Sequence, residues 1–270
     1  MAEAKFLITK CMLMPSESSS LKEPYELGLG NPIIDYYESL ESPTISMTIT
    51  FIDIDQVLGR EGITGGEYID LTVKDGEVDE FKITSKKQKL MLNSVRDVVT
   101  ETNKQVATLE FVSVESITNE TARVNKKFTG NVSKTVEDLL KKDKKGIQTS
   151  KELEKDDALN SYSFVGNLKR PFDTIQWLCP KTQSDKKEFG FLFYETLDGY
   201  KFKSIKSLLE QEPITYTQTD KPGDQGFFKI LQNNLNQTND IGMNLRMGMY
   251  ANRTIYIDIE NQQFDEVDFK

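Results

Sequence analysis

Histidine is missing from all 270 residues. Its absence removes the commonest general base, the usual partner of a nucleophilic Ser or Cys, and the commonest transition-metal ligand. Cysteine is nearly missing as well. Cys11 and Cys179 are too few for a Cys-rich zinc site and lie far apart in sequence, so both read as reduced, buried thiols of a protein made in a cytosol. No run of about 18 apolar residues occurs that could cross a membrane as a helix. The opening MAEAKFLITKCMLMP carries lysines inside its apolar stretch, unlike a secretory leader. The Asn-x-Ser/Thr triplets at Asn119, Asn131, Asn236 and Asn252 then read as chance, because they matter only in a glycosylating compartment.

What remains is an ordinary globular composition, 37% hydrophobic, 10% aromatic and 29% charged, enough for a sizeable core and about two domains. The 34 basic residues against 43 acidic ones leave a net charge of −9. Such a balance disfavours binding to polyanions. The lysine clusters at Lys86 to Lys89 and Lys141 to Lys145 are small against it and abut acidic neighbours, so they read as solvated surface.

The strongest pattern is a strict alternation: Ile45, Met47, Ile49 and Phe51 on one side, Thr44, Ser46, Thr48 and Thr50 on the other. It predicts a half-buried strand whose second face meets water or a partner. Further strands are expected at Lys5 to Leu13, in EYIDLTV, in VDEFKITS after the turn at Asp75 and Gly76, and from Val106 to Ile117. A Ser/Glu/Pro loop, with serines from Ser18 to Ser20, separates the first of these from the rest. Next the period changes to helical at Val132, Val136, Leu139 and Leu140, behind cap candidates Asn131 and Ser133 and before Gly146. RPFDTIQWLCP predicts a second helix, with Pro171 in its first turn and Pro180 as its stop. A hairpin is expected around Asp198 and Gly199, a helix in SIKSLLEQEP, and strands again in MNLRMGM (Met243 to Met249) and TIYIDIE. The methionine alternation reads as core or subunit interface.

No residue set carries chemistry. The glycine-rich stretch from Gly59 to Glu67 lacks the Gly-Lys-Ser/Thr ending of a phosphate loop and feeds a strand, so it reads as a turn, as does GLGNP at Gly28 to Pro32. Asp53 and Asp55 are not followed by the oxygen donors a calcium loop needs, and read as the start of a capped turn. Ser184 and Lys187 match a Ser-x-x-Lys spacing that chance supplies freely. No catalytic residue, metal site or cofactor is expected.

The order of several motifs carries a resemblance. NPIIDYYESLESPTISMTITFIDIDQVLGREGITGGEYIDLTV, VSKTVEDLL, RPFDTIQWLCP and FGFLFYETLDGYKFKSIKSLLEQEP together resemble the baseplate hub protein of contractile-tailed (myovirus) bacteriophages. The resemblance covers most of the chain from about residue 5. It implies an α+β, mainly β fold: tube-type antiparallel β-barrel domains with an intervening α+β domain. The expected division is a first barrel over 1–117, an α+β domain over 118–213, and strands of a second barrel over 214–270, incomplete at the C-terminus. It further implies a homotrimer, a pseudo-sixfold ring adapting the sixfold tail tube to a threefold central spike. The partners would be the trimeric spike protein, tail tube proteins and the tape measure protein, with DNA passing through the lumen unbound. Thr44, Ser46, Thr48 and Thr50 would face the lumen or a neighbouring subunit. Synthesis would be in the host cytoplasm and the final location the virion. The alternative is a β-barrel module binding carbohydrate or peptide through the aromatic hairpin at Phe189 to Phe202.

Overall fold

The computed structural model describes residues 6–217, apart from 18, 55, 76–78, 85–87, 102–103, 186 and 188, together with 228, 229 and 240–269. Lys5, Ser18, Asp55, Gly76, Lys86, Lys87 and Asn236, named above, lie outside the described residues. The fold is mainly β with antiparallel sheets, and two compact units divide it, Met1–Gln211 and Glu212–Lys270.

The first unit begins with eight strands: β1 (Phe6–Met14), β2 (Tyr25–Glu26), β3 (Ile33–Tyr37), β4 (Ser46–Asp53), β5 (Tyr68–Asp75), β6 (Asp79–Ile83), β7 (Leu90–Glu101) and β8 (Lys104–Ser113). They form one sheet in the order β2-β1-β5-β7-β8-β4-β3, with β6 also on β5. The sheet is bent around a single core. Ile45, Met47, Ile49 and Phe51 are buried within it, beside Cys11, Leu13, Ile69, Leu71, Leu92, Leu109 and Phe111. Alternation at period two explains this, since every second side chain of β4 points to one face. Tyr36 of β3 meets Phe81 of β6 edge to face, with ring centroids 5.0 Å apart, so side chains bring these two strands together across the core.

Between β4 and β5 stands a short helix, α1 (Val57–Arg60). The Asp53 carboxylate accepts the amide N–H of Val57 and of Leu58, each at 3.0 Å. That is the capped turn expected of Asp53. Gly62, Gly65 and Gly66 follow with positive φ, and the chain turns into β5 there.

The strand expected from Val106 to Ile117 stops at Ser113. The helix α2 (Val114–Thr121) begins there and carries the chain to a second core. Its elements are β9 (Lys127–Phe128), α3 (Val132–Glu137), β10 (Leu153–Lys155), β11 (Phe164–Val165), α4 (Pro171–Leu178), β12 (Phe191–Thr196), β13 (Gly199–Ser204) and α5 (Ile205–Leu209). Asn131 caps α3 by accepting from the N–H of Ser133 and Lys134, and Val132, Val136, Leu139 and Leu140 are buried, as their spacing requires. Pro171 opens α4 at its first position. Asn119 reaches from α2 to accept the Phe172 N–H at 2.9 Å, satisfying an orphan donor at the start of α4.

β12 and β13 form the expected hairpin, and β10 adds to β13 in parallel. Gly199 has φ +131°, and a Cβ there would stand 2.5 Å from the Glu152 carbonyl oxygen, so glycine is required twice over. The turn docks on the first sheet: the Leu197 N–H donates to Glu38 at 2.7 Å, and Gln88 donates to the Leu197 carbonyl.

The second unit contains β14 (Tyr216–Thr217), β15 (Phe228–Lys229), α6 (Ile241–Arg246), β16 (Asn252–Asp258) and β17 (Gln263–Phe269). The strand expected at Met243 to Met249 is helical in its first half. Asp240 accepts the Met243 N–H at 2.9 Å, and Met and Leu favour helix once that cap is made. Among the described residues of this unit, no sheet exceeds two strands.

Candidate functional site

Thr44, Ser46, Thr48 and Thr50 lie on the face of the first sheet opposite its core, all half-buried. Register places Thr50 beside Thr108 of β8, with hydroxyl oxygens 2.9 Å apart. Thr48 stands between Asp35 of β3 and Glu110 of β8. Glu110 in turn accepts from Ser94 at 2.6 Å and pairs with Arg96 at 2.6 Å. Ile33 and Tyr37 of β3 are exposed beside these polar groups, and among the described residues β3 is the last strand of the sheet. The face is thus a hydroxyl-rich surface flanked by an apolar edge strand, a form suited to a partner.

A second assembly of groups, which periodicity did not single out, lies between the two cores of the first unit. Phe191, Phe193 and Glu195 share one side of β12, and the carboxylate is buried like the rings. Glu195 Oε2 accepts the Ser113 hydroxyl at 2.5 Å and the Ile45 N–H at 3.0 Å. Its Oε1 contacts the Lys151 ammonium at 2.5 Å. Lys151 also contacts Glu115 Oε2 at 2.7 Å, and Thr149 donates to Glu115 Oε1 at 2.6 Å. Ile45 and Ser113 belong to the first sheet and Lys151 and Glu195 to the second core, so the cluster ties the two together. Burial holds the Glu195 carboxyl above the usual carboxylate range, with Lys151 acting in the opposite direction. The signal was present in the sequence: a lone carboxylate at the inward position of an aromatic strand.

Glu67, at the start of β5, is also sealed, and neither carboxylate oxygen has a hydrogen-bond partner. Burial raises its pKa. Cys11 and Cys179 are free and buried, and burial pushes both thiols up to about 12. Lys187 N donates to the Ser184 carbonyl at 2.9 Å, a turn contact that accounts for their spacing. Among the described residues no group of three or more His, Cys, Asp or Glu could hold a metal, and no helix is long and apolar enough to cross a membrane.

The rings of the aromatic hairpin are turned into the core, and are not presented outward as a stacking surface for a sugar or peptide. Phe193 stacks on Tyr200 at 5.5 Å and Phe191 on Phe202 at 4.8 Å, so the rings cover one another in the core. Phe189 alone among the aromatic residues from 189 to 202 is well exposed.

The second unit has the opposite character. β16 and β17 pair over seven residues with Ile255, Ile257 and Phe264 on one face, all exposed. Ile259 at the turn is 85% exposed, and Met243, Leu245, Met247 and Met249 of the α6 region are exposed too. Five carboxylates, Asp258, Glu260, Asp265, Glu266 and Asp268, surround this apolar hairpin, with Arg253 paired to Asp268 at 2.7 Å.

No protein-family model matches the chain, and no curated protein matches it. Solved structures similar to it include tail proteins and a type VI secretion component. One is the tail protein from Neisseria meningitidis MC58, with a TM-score of 0.44 and 8% identity, covering 72% of this chain and 49% of that one. The E. coli c3393 protein, a type VI secretion component described as similar to T4 bacteriophage tail proteins gp27 and gp5, has a TM-score of 0.43 and 12% identity over 73% and 50%. Prophage tail protein gp18 from Listeria monocytogenes has a TM-score of 0.45 and 9% identity over 97% and 67%. The chain spans about half the length of the Neisseria and E. coli proteins.

Proposed function

We propose that the protein is a structural component of a contractile phage tail, the trimeric baseplate hub that adapts the sixfold tube to the threefold spike. The observation that carries this reading is the second unit's hairpin, which among the described residues is a two-stranded sheet with both outer edges unpaired and large apolar side chains in water. A lone two-stranded hairpin is marginal in water, and an exposed apolar strand edge is a template for pairing, so such a unit is completed by assembly. The order of sequence motifs supplies the identity of the assembly. Residues 1–117, 118–213 and 214–270 then act as first barrel, connecting domain and part of a second barrel. Thr44, Ser46, Thr48 and Thr50 line the lumen or a subunit contact, and their neutral hydroxyls in a protein of net charge −9 give passing DNA no cationic grip. Spike, tube and tape measure proteins are the partners, and the role is not enzymatic.

The test is the oligomeric state of the purified chain, alone and mixed with the tube and spike proteins of the same tail. The hub reading expects a threefold complex that joins both. A chain that binds neither, or that binds a soluble glycan or peptide instead, contradicts it.

A further inference from the structure

Lys151 stands between two carboxylates in the interior, its side chain 6% exposed and that of Glu195 fully buried. A buried ion pair is costly, because the attraction repays the lost hydration only when the geometry is excellent. Here three features exceed what an ion pair needs. Glu195 Oε2 is held by two donors, the Ser113 hydroxyl and the Ile45 N–H, which is the arrangement that stabilises a developing oxyanion. A second carboxylate, Glu115, touches the same ammonium and is itself oriented by Thr149. The Tyr200 ring lies 5.9 Å from the amine and shields it, its hydroxyl buried without a partner. Burial also favours the acid form of Glu195.

We propose that Lys151 and Glu195 condense into an intramolecular amide, formed by the folded chain on itself with Glu115 as the proton carrier. Glu115 takes a proton from the ammonium. The freed Nζ lone pair attacks Cδ of the Glu195 carboxylic acid, and the negative charge on Oε2 is held by Ser113 and Ile45. On collapse the Oε2 carbonyl re-forms and Oε1 leaves as water with the proton that Glu115 returns. The nitrogen gives its second proton to Glu115, which ends neutral. One C–N bond forms, one C–O bond breaks, water is the only by-product and no oxidation state changes. The cluster then contains no buried ion. The bond closes a loop between residues 44 apart and fastens β12 to the segment leading into β10. Since Ser113 and Ile45 come from the first sheet, reaction requires that both cores be folded and docked.

Intact mass spectrometry of the full, folded chain decides the matter. The expected mass is the sequence mass less one water, and digestion should yield a branched peptide joining the stretches around Lys151 and Glu195. Lys151→Ala and Glu195→Ala should each restore the full mass. Glu115→Ala, with both reacting groups present and folding confirmed by circular dichroism, should lose the cross-link. A folded wild-type chain carrying the full sequence mass after prolonged incubation overturns the proposal, whatever the variants do. So does a water loss that survives Lys151→Ala.

Discussion

Ile49 is fully buried where β4 crosses the first core. Ile49→Ala removes three carbons from a site that cannot fully collapse, and an unfolding free-energy loss of about 2 to 5 kcal/mol is expected from chemical denaturation. A loss under about 0.5 kcal/mol would place Ile49 outside the core. Glu67 offers a residue-scale test in pH. Its folded pKa lies above its unfolded one, because burial penalises the charged form. The native state therefore binds that proton more tightly. The favourable contribution is fully present below the unfolded carboxylate pKa and is lost as pH rises through the folded value. Glu67→Gln should flatten that fall, by about 1 to 3 kcal/mol of stability between the two limits. Superimposable pH–stability curves for the two proteins would refute it. These two residues differ in legibility. Ile49 announces itself by alternation. Glu67 follows two glycines, Gly65 and Gly66, whose turn sets which way the next side chain points, and no local period reveals that.

At the scale of elements, β4, α3, α4 and the β12–β13 hairpin were readable because caps, prolines and a turn glycine mark their ends. β7 was not. Bulges between Leu92 and Ser94 and between Arg96 and Val99 break its alternation twice, so a twelve-residue strand shows no sustained period. β3 was hidden as well, because an end strand with Ile33 and Tyr37 exposed lacks the usual buried-face pattern. The helix α2 followed directly on β8 without an intervening turn signal, and the apolar run concealed the change of period. In the α6 region the reverse holds: the Asp240 cap overrides an apparent alternation. Two element-scale outcomes follow from the geometry. Asp53→Ala should destabilise by about 1 to 2 kcal/mol in denaturant unfolding, since two N–H groups at the start of α1 lose their acceptor. Gly199→Ala should cost more than this, because a positive φ and a backbone oxygen in Cβ range act together; equal midpoints for Gly199→Ala and wild type would show that the β12–β13 turn is not as described.

For the whole molecule, the two units divide the labour. The first buries its apolar side chains in two cores tied by the Glu195 cluster. The second, among its described residues, leaves Ile255, Ile257, Ile259 and Phe264 in water. The Glu195 cluster was legible only in part: an inward carboxylate on β12 can be read from the sequence, but its partners Lys151, Glu115, Ser113 and Ile45 are brought together by long-range packing that no local pattern encodes. An assembly role for the hairpin predicts that Ile257→Asp lowers the yield of the oligomer at least tenfold, while the thermal unfolding of residues 1–211 is unchanged. A charge on a buried interface strand costs several kcal/mol, whereas on a solvated surface it costs nearly nothing. Copy number and place distinguish a hub from any other tail component, and one reconstruction of an assembled tail without imposed symmetry reads both. Three copies of this chain in a ring on the tail axis, between the sixfold tube and the spike, are predicted. Six equivalent copies, or density for the chain away from the axis, would rule out a trimeric hub.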